Sequence, residues 1–480
     1  MKIEMENDSF RKHAHQMVDW MADYLEEIRD YPVLPSVSPG EIKKNIAINP
    51  PEQAESMDEI FSDFQNHILP GITHWQHPNF HAYFPANHSK PSLLAEMLTS
   101  TLGAQCMIWL TSPAATELEE TVMEWLKQML QLPESWDGVI QDTASTATLV
   151  ALISAREKKS EFRINEEGFY QQKPFTVYCS DQAHSSIEKA VKIAGLGLKY
   201  LRKIPTDQNF AMQANLLEKQ VNEDLQDGLV PLCVVSALGT TGSTAIDPLQ
   251  EISKISSKYS MWHHVDAAFA GTALILPEKR WAGKGLEDAD SFVFNPHKWM
   301  FTNFDCTAYF VKDKNTLINT FTIDPSYLKT DLDLQVNNYR DWGIQLGRRF
   351  RALKLWFVIR NFGVDGIQKK LRHHLELTQW LHRNMVEHPH FQILAPVPFN
   401  TICFRLVTSS EKDDTFLNEL NKTFIDEINR SGKAFLSSTM LRDQFTVRVV
   451  IGQTEVNQDD VRNLWNLIRE KSAALIKQYS

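Results

Sequence analysis

The chain has 480 residues, 43% hydrophobic and 23% charged, the balance of an ordinary globular protein long enough for more than one core. Its 49 basic and 60 acidic residues leave a formal net charge of −11, which argues against a nucleic-acid partner. Five scattered cysteines fit buried thiols in a reducing compartment. With no apolar run of membrane-spanning length and a start too polar for a secretory signal, the expectation is a cytoplasmic protein without membrane contact.

Along residues 7–30, Phe10, Met17, Trp20, Met21, Tyr24 and Ile28 return at helical spacing. "YPVLPSVSPG" (31–40) then breaks the helix, and a second helix is expected near 57–69. This N-terminal helical segment, residues 1–85, has too little apolar surface for a core of its own, so it is expected to pack on a partner.

From about residue 90 short β-rich runs alternate with helical stretches. The strands are "PFTVYCS" (174–180), "LKYLRKI" (198–204), "LVPLCVVSAL" (229–238), "SMWHHVDA" (260–267), "SFVFN" (291–295) and "CTAYFVK" (306–312). That alternation implies a mainly parallel sheet covered by helices, with ligands at the carboxyl ends of its strands. "LGRRFRALKLWFVIRNFG" (346–363) reads as a helix ending at Gly363, its basic residues paired with acidic neighbours. Beyond it, "TICFRLV" (401–407) and "QFTVRVVIG" (444–452) alternate with helices, as in a small α+β domain.

The strand ends carry the chemistry. Asp266 stands where "HHVDAAFAG" (263–271) turns to small residues, and Lys298 follows the apolar run "SFVFNPHKWM" (291–300). A lysine so placed is desolvated and must be neutralised, paired or used covalently. Thr143, Ala144 and Ser145 open a helix whose N–H groups and dipole favour an anion. Gly239, Thr240, Thr241 and Gly242 form a small-residue turn, and His184 precedes a Ser-opened helix. A phosphate-bearing aromatic aldehyde would use all of these together. Lys298 would form a Schiff base, Asp266 would pair with the ring nitrogen and His184 would stack on the ring. Thr143, Ala144, Ser145, Asn295 and His297 would hold the phosphate.

"HVDAAFAG" with "NPHKWM" resembles the pyridoxal-phosphate-dependent group II amino-acid decarboxylases, and most closely their aromatic L-amino acid decarboxylases. "HPNFHAYFP" (77–85), "SPAATELEETVMEWL" (112–126), "FNPHKWMFTNFDC" (294–306) and "LGRRFRALKLWFVIRNFGVDG" (346–366) extend the likeness. The resemblance implies a type I aminotransferase-like α/β fold with a seven-stranded sheet. It divides the chain into the N-terminal segment 1–85, a cofactor-binding domain 86–360 and a small C-terminal domain 361–480. It implies pyridoxal phosphate on Lys298, no metal, and an obligate homodimer with its active sites at the subunit interface. Thr241 and Ala268 match cofactor-lining positions, and His184 matches a histidine bonded toward the substrate carboxylate. Tyr327 matches a tyrosine on a loop that closes over substrate and protonates the carbon left by decarboxylation.

Trp75, Tyr83, Phe84 and Pro85 match the family's aromatic side-chain pocket. Gln105 and Met107 stand where animal relatives have Ile and Phe contributed by the partner subunit. Gly347, where several relatives carry Ser, leaves room for an indole. The implied substrates are therefore tryptophan, phenylalanine, tyrosine or dihydroxyphenylalanine. The alternatives are an aldehyde synthase, which in plant relatives has Phe at the position of Tyr327, and a decarboxylase of another amino acid such as histidine. In one departure the family's Gly-(Ser/Thr)-Ala-Ser-Glu is Asp142-Thr143-Ala144-Ser145-Thr146 here. A metal hydrolase built on His74, His77 and His81 is disfavoured, because Pro78 breaks their shared face and no acid lies in that run.

Overall fold

A computed structural model describes residues 4–323, 335–408 and 413–479. Seven strands form the main sheet: β1 (Asp137–Gln141), β2 (Phe175–Ser180), β3 (Leu201–Ile204), β4 (Val230–Ala237), β5 (Trp262–Asp266), β6 (Ser291–Phe294) and β7 (Thr307–Val311). Their spatial order is β1-β7-β6-β5-β4-β2-β3. β2 to β6 run parallel, and β7 is antiparallel to both its neighbours.

Period-two alternation explains why both faces need cover. On β6, Phe292 and Phe294 enter one core with Val265 and Phe310, while Val293 enters the opposite core with Val139, Val177 and Tyr309. Each such phenylalanine contributes roughly 1.5–3 kcal/mol by burial. Helices on both faces supply the rest of these cores.

A second sheet, β8 (Phe391–Ile393), β9 (Thr401–Leu406), β10 (Ser437–Leu441) and β11 (Gln444–Val450), is antiparallel throughout in the order β10-β11-β9-β8. It packs Phe404 and Val447 against Leu377, Phe424 and Trp465 of the surrounding helices. The architecture is the expected α/β fold with a small C-terminal sheet domain. Near the N-terminus the helix Asn7–Glu26 buries none of its residues. Its Trp20 meets the rings of Phe61 and Phe64 at 5.9 and 5.3 Å, and Arg29 reaches Asp460 through two bonds of 3.1 and 2.9 Å.

One expectation needs correction, and one strand of the expected seven was not located in the sequence. The helix expected from residue 346 begins at Arg351 and runs to Glu387, with a break at Gly363 (φ 63°, ψ 168°). Residues 346–350 are drawn into tertiary contacts instead: Arg348 N–H donates to Gln105 Oε1 at 2.7 Å, and Cys106 N–H donates to the Arg348 carbonyl at 3.0 Å. The basic residues do find acids, Arg348 with Glu119, Arg349 and Lys354 with Glu96, and Arg351 with Asp305. The seventh strand, β1, is a five-residue edge strand running straight into the helix-opening segment; it is missing from the sequence-read strands because "DGVIQ" holds only two apolar residues, side by side and without alternation.

The turn after β4 positions part of the site and admits only glycine at its start. Gly239 has φ +91°, and a Cβ there would lie 2.5 Å from the Ala270 Cβ. Gly239→Ala should lower unfolding free energy by about 1–3 kcal/mol, read from the denaturant midpoint. An unchanged midpoint would contradict this packing.

Candidate active site

The carboxyl ends of β4, β5 and β6 meet the start of the helix Ala144–Lys159 around a cavity of about 210 Å³. All ten residues expected to hold a cofactor line it: Thr143, Ala144, Ser145, His184 and Thr241, then Asp266, Ala268, Asn295, His297 and Lys298. Parallel register explains the convergence, since Ala237 pairs with Asp266, and Asp266 with Val293.

Lys298 lies in the short helical turn Pro296–Trp299, anchored by its N–H to the Asn295 carbonyl at 2.9 Å. Its Nζ is 5.4 Å from the centre of the Phe84 ring. Burial lowers the lysine pKa from its ordinary value, and Asp266 partly opposes the shift. Asp266 Oδ1 accepts the Ala268 N–H at 3.0 Å, which fixes the carboxylate and leaves Oδ2 for the cavity.

His184 Nδ1 accepts the Ser186 N–H at 3.1 Å and lies 2.8 Å from Ser186 Oγ. A backbone N–H can only donate, so the ring proton resides on Nε2. Burial lowers the His184 pKa, with Asp266 opposing and Lys298 assisting. His297 follows the same logic. Its Nδ1 accepts the Cys306 N–H at 2.9 Å, and burial, with Lys298 nearby, takes its pKa down to about 3. It is a neutral N–H donor. Asn295 is 2% exposed, and its Oδ1 lies 2.9 Å from the Thr307 hydroxyl, so its amide N–H groups remain to give. Helix geometry leaves the Ala144 and Ser145 N–H groups without intrahelical acceptors. The cavity lining thus combines a set of neutral donors suited to an anion with a lysine, a carboxylate and a histidine.

An aromatic wall closes one side. Phe84 stacks on Phe269 at 3.8 Å, and Phe269 on Trp299 at 5.1 Å. Of the expected substrate-pocket residues only Phe84 lines the cavity. Trp75 and Tyr83 stack on each other at 5.9 Å beside it, and Pro85 is buried behind. Gln105, Met107 and Gly347 lie outside it: Gln105 is bonded to Arg348, the neighbour of Gly347, and the Met107 carbonyl accepts the Arg340 N–H. Gly347 is exposed, and a side chain there would first meet Gln105 Nε2 at 3.4 Å. Tyr327 lies outside the described residues. His74, His77 and His81 bond separately to Tyr24, the Asn79 N–H and the Val450 carbonyl.

Arg448 of β11 stands beside the site although no motif in the sequence marked it. This guanidinium is 3% exposed and has no carboxylate partner among the described residues. It donates to the Gly242 carbonyl at 2.7 Å and to Ser437 Oγ at 2.9 Å, and stands 5.3 Å from the Phe84 ring centre. It ties the C-terminal sheet to the turn that carries Thr241. An arginine inside "QFTVRVVIG" was the available signal. Ser186, Ala237, Phe269 and Phe304 also line the cavity without having been foreseen.

Residues 39–407 match the model of the pyridoxal-dependent decarboxylase conserved domain. An aromatic-L-amino-acid decarboxylase of Drosophila simulans is 41% identical, over 99% of this chain and 92% of its own. A phenylacetaldehyde synthase of Arabidopsis thaliana is 40% identical, over 98% and 97%. The crystal structure of Catharanthus roseus tryptophan decarboxylase in complex with L-tryptophan superposes with a TM-score of 0.92 at 37% identity, over 98% and 99%.

Because Asp266 raises the Lys298 pKa while burial lowers it, removing the carboxylate charge should lower it further. In cofactor-free protein at pH 8, Asp266→Asn should therefore make Lys298 react faster with an amine-acylating reagent, as quantified by peptide mapping. Slower labelling would show that the carboxylate does not act on this amine.

Proposed function

The chain belongs to the pyridoxal-dependent decarboxylase family, and on that premise we propose that it converts aromatic L-amino acids to arylalkylamines and carbon dioxide. The substrates are tryptophan, phenylalanine, tyrosine or dihydroxyphenylalanine. One observation carries the reading: Lys298, Asp266 and His184 line one cavity together with Ala144, Ser145, Asn295 and a neutral His297, donors suited to an anion. That donor set fits pyridoxal phosphate. Thr143, Ala144, Ser145, Asn295 and His297 would hold the phosphate, Asp266 the ring nitrogen and His184 the ring, with Thr241 and Ala268 lining the cofactor. When bound, the cofactor supplies an aldehyde that an amine can condense with and a ring that draws off the electron pair released as carbon dioxide leaves.

The protein's own groups do the rest. Burial keeps the Lys298 amine in its neutral, nucleophilic form more readily than in water. Asp266 provides the counter-charge for a protonated ring nitrogen. With Nδ1 engaged by Ser186, His184 turns its Nε2–H toward the substrate carboxylate and orients it. Phe84 and Phe269, backed by Trp299, keep water from that carboxylate, which loses its charge as the bond breaks, so a dry wall favours the transition state over the ground state. Tyr327 is the proton donor that returns hydrogen to the substrate carbon.

The active form is a homodimer in the cytoplasm. Helix Lys90–Leu102 leaves Leu94, Leu98 and Leu102 exposed, an apolar face for a second copy. Gln105, Met107 and Gly347 stand outside this chain's own cavity, where they can complete the partner's; the missing side chain at Gly347 leaves space for an indole. All five cysteines are free and buried, as suits a reducing compartment, and no helix among the described residues is long and apolar enough to cross a membrane. The break at Gly363 supports a boundary near residue 360 between the cofactor-binding and C-terminal domains, with the N-terminal helices up to residue 85 as a third unit.

The likeness to a phenylacetaldehyde synthase makes the product the decisive measurement. A panel of aromatic amino acids should yield amine and carbon dioxide in equal amounts without oxygen uptake. In Tyr327→Phe, carbon dioxide loss should continue, but one molecule each of oxygen and water should be consumed per turnover, giving aldehyde, ammonia and hydrogen peroxide. Undiminished amine formation by Tyr327→Phe would place the proton donor elsewhere, and aldehyde from the wild type would make the protein a synthase.

A further inference from the structure

The helix Ala144–Lys159 that faces the cavity begins with an incomplete cap. Thr143 is its N-cap, extended at φ −134°, ψ 157°, and its Oγ1 accepts the Thr146 N–H at 3.4 Å. That is one arm of a capping box; in the other, a Glu or Gln three residues on reaches back to the N–H of the cap residue. Here that position is Thr146, which has no carboxylate and rests with its Oγ1 3.3 Å from Thr143 Oγ1. The Thr143 N–H donates to Asp142 Oδ1 instead. Asp142 Oδ2 receives Gln345 Nε2 at 3.5 Å.

We propose that Asp142 is a positioning residue that replaces the missing carboxylate arm of this capping box and thereby holds the phosphate-binding turn 143–145 in shape. The inference rests on the pyridoxal phosphate reading of the cavity. The two departures noted in the sequence, an acid at 142 and a threonine at 146, are on this account one exchange: a single carboxylate moved from the first turn of the helix to the residue before its cap. Its consequence is local. The Thr143 N–H is satisfied within the loop, so the N–H groups of Ala144 and Ser145 are the ones left for an anion.

The backbone of Asp142 is fixed to the same cradle. The Thr307 hydroxyl stands between the Asp142 carbonyl and Asn295 Oδ1, 3.0 and 2.9 Å away. A negative side chain beside a phosphate site would otherwise oppose binding. Here its charge faces the positive end of the helix dipole and is felt by the Arg351 guanidinium.

The test is cofactor release from the dialysed holoenzyme, followed by absorbance, with circular dichroism confirming that each variant is folded. Asp142→Gly should release pyridoxal phosphate about tenfold faster than the wild type, the effect of one lost helix cap. Adding Thr146→Glu to that variant should restore release to within about threefold of wild type, because the box is completed from its usual side. Asp142→Asn keeps an acceptor oxygen and should also stay within about threefold. Unchanged release from Asp142→Gly, no recovery in the folded double variant, or an Asp142→Asn as loose as Asp142→Gly would each overturn the capping role. A wild type that takes up no pyridoxal phosphate would overturn both this inference and the function it rests on, whereas normal uptake with unchanged release overturns this inference alone.

Discussion

The pairing of β5 with β6 is the constraint on which the site depends. Asp266 stands opposite Val293, the Asn295 N–H bonds back to the Ala268 carbonyl at 3.0 Å, and the Lys298 N–H to the Asn295 carbonyl at 2.9 Å. Because side chains alternate along a strand, a slip of one residue would turn the carboxylate to the other face of the sheet. Buried polar contacts pin the register where hydrophobic packing alone would tolerate error. Ser291 Oγ receives Trp262 Nε1 at 2.8 Å and lies 2.8 Å from His264 Nδ1, while the His263 N–H donates to Asp290 Oδ2 at 2.8 Å. Such a network is costly unless every member is placed correctly, and that is what makes it specify one arrangement.

Given that register, burial does most of the electrostatic work. It keeps His184 and His297 neutral, each with a backbone N–H occupying Nδ1, so that both rings offer N–H groups to the cavity. It lowers the lysine pKa, while Asp266, five residues before the end of one small-residue segment, moderates the shift. The same low-dielectric setting would penalise an unpaired cation, and Arg448 meets that penalty with a carbonyl and a hydroxyl in place of an acid. Its unpaired charge stays beside Phe84, where it braces the cofactor turn from the C-terminal sheet.

Much of this was legible in the chain because strand ends announce themselves. The apolar runs before Asp266 and Lys298, the small residues after Ala237, and the Thr-Ala-Ser helix start are local signals, and all ten expected cofactor contacts line one cavity. What stayed hidden is tertiary in origin. Residues 346–350 have helical composition but exchange hydrogen bonds with Gln105 and Cys106; β1 is an edge strand whose "DGVIQ" shows no alternation and is held by its pairing with β7. Gln105 and Met107 were expected from the resemblance to serve the partner's site, but that Gly347 also stands outside the Lys298 cavity depends on chain packing that no spacing encodes. The swap of a carboxylate between positions 146 and 142 reads as two unrelated departures until the Thr143 N–H is seen to need an acceptor.

The central claim is that one desolvated lysine, opposed by one carboxylate, is where the cofactor is joined to the protein. Borohydride reduction of the cofactor-loaded protein, followed by proteolysis and mapping of the pyridoxyl label, tests it most directly. The account predicts a single label on Lys298, with none at other lysines and none in protein treated after the cofactor is removed. A label on any other lysine, or a loaded protein that takes none, would contradict it.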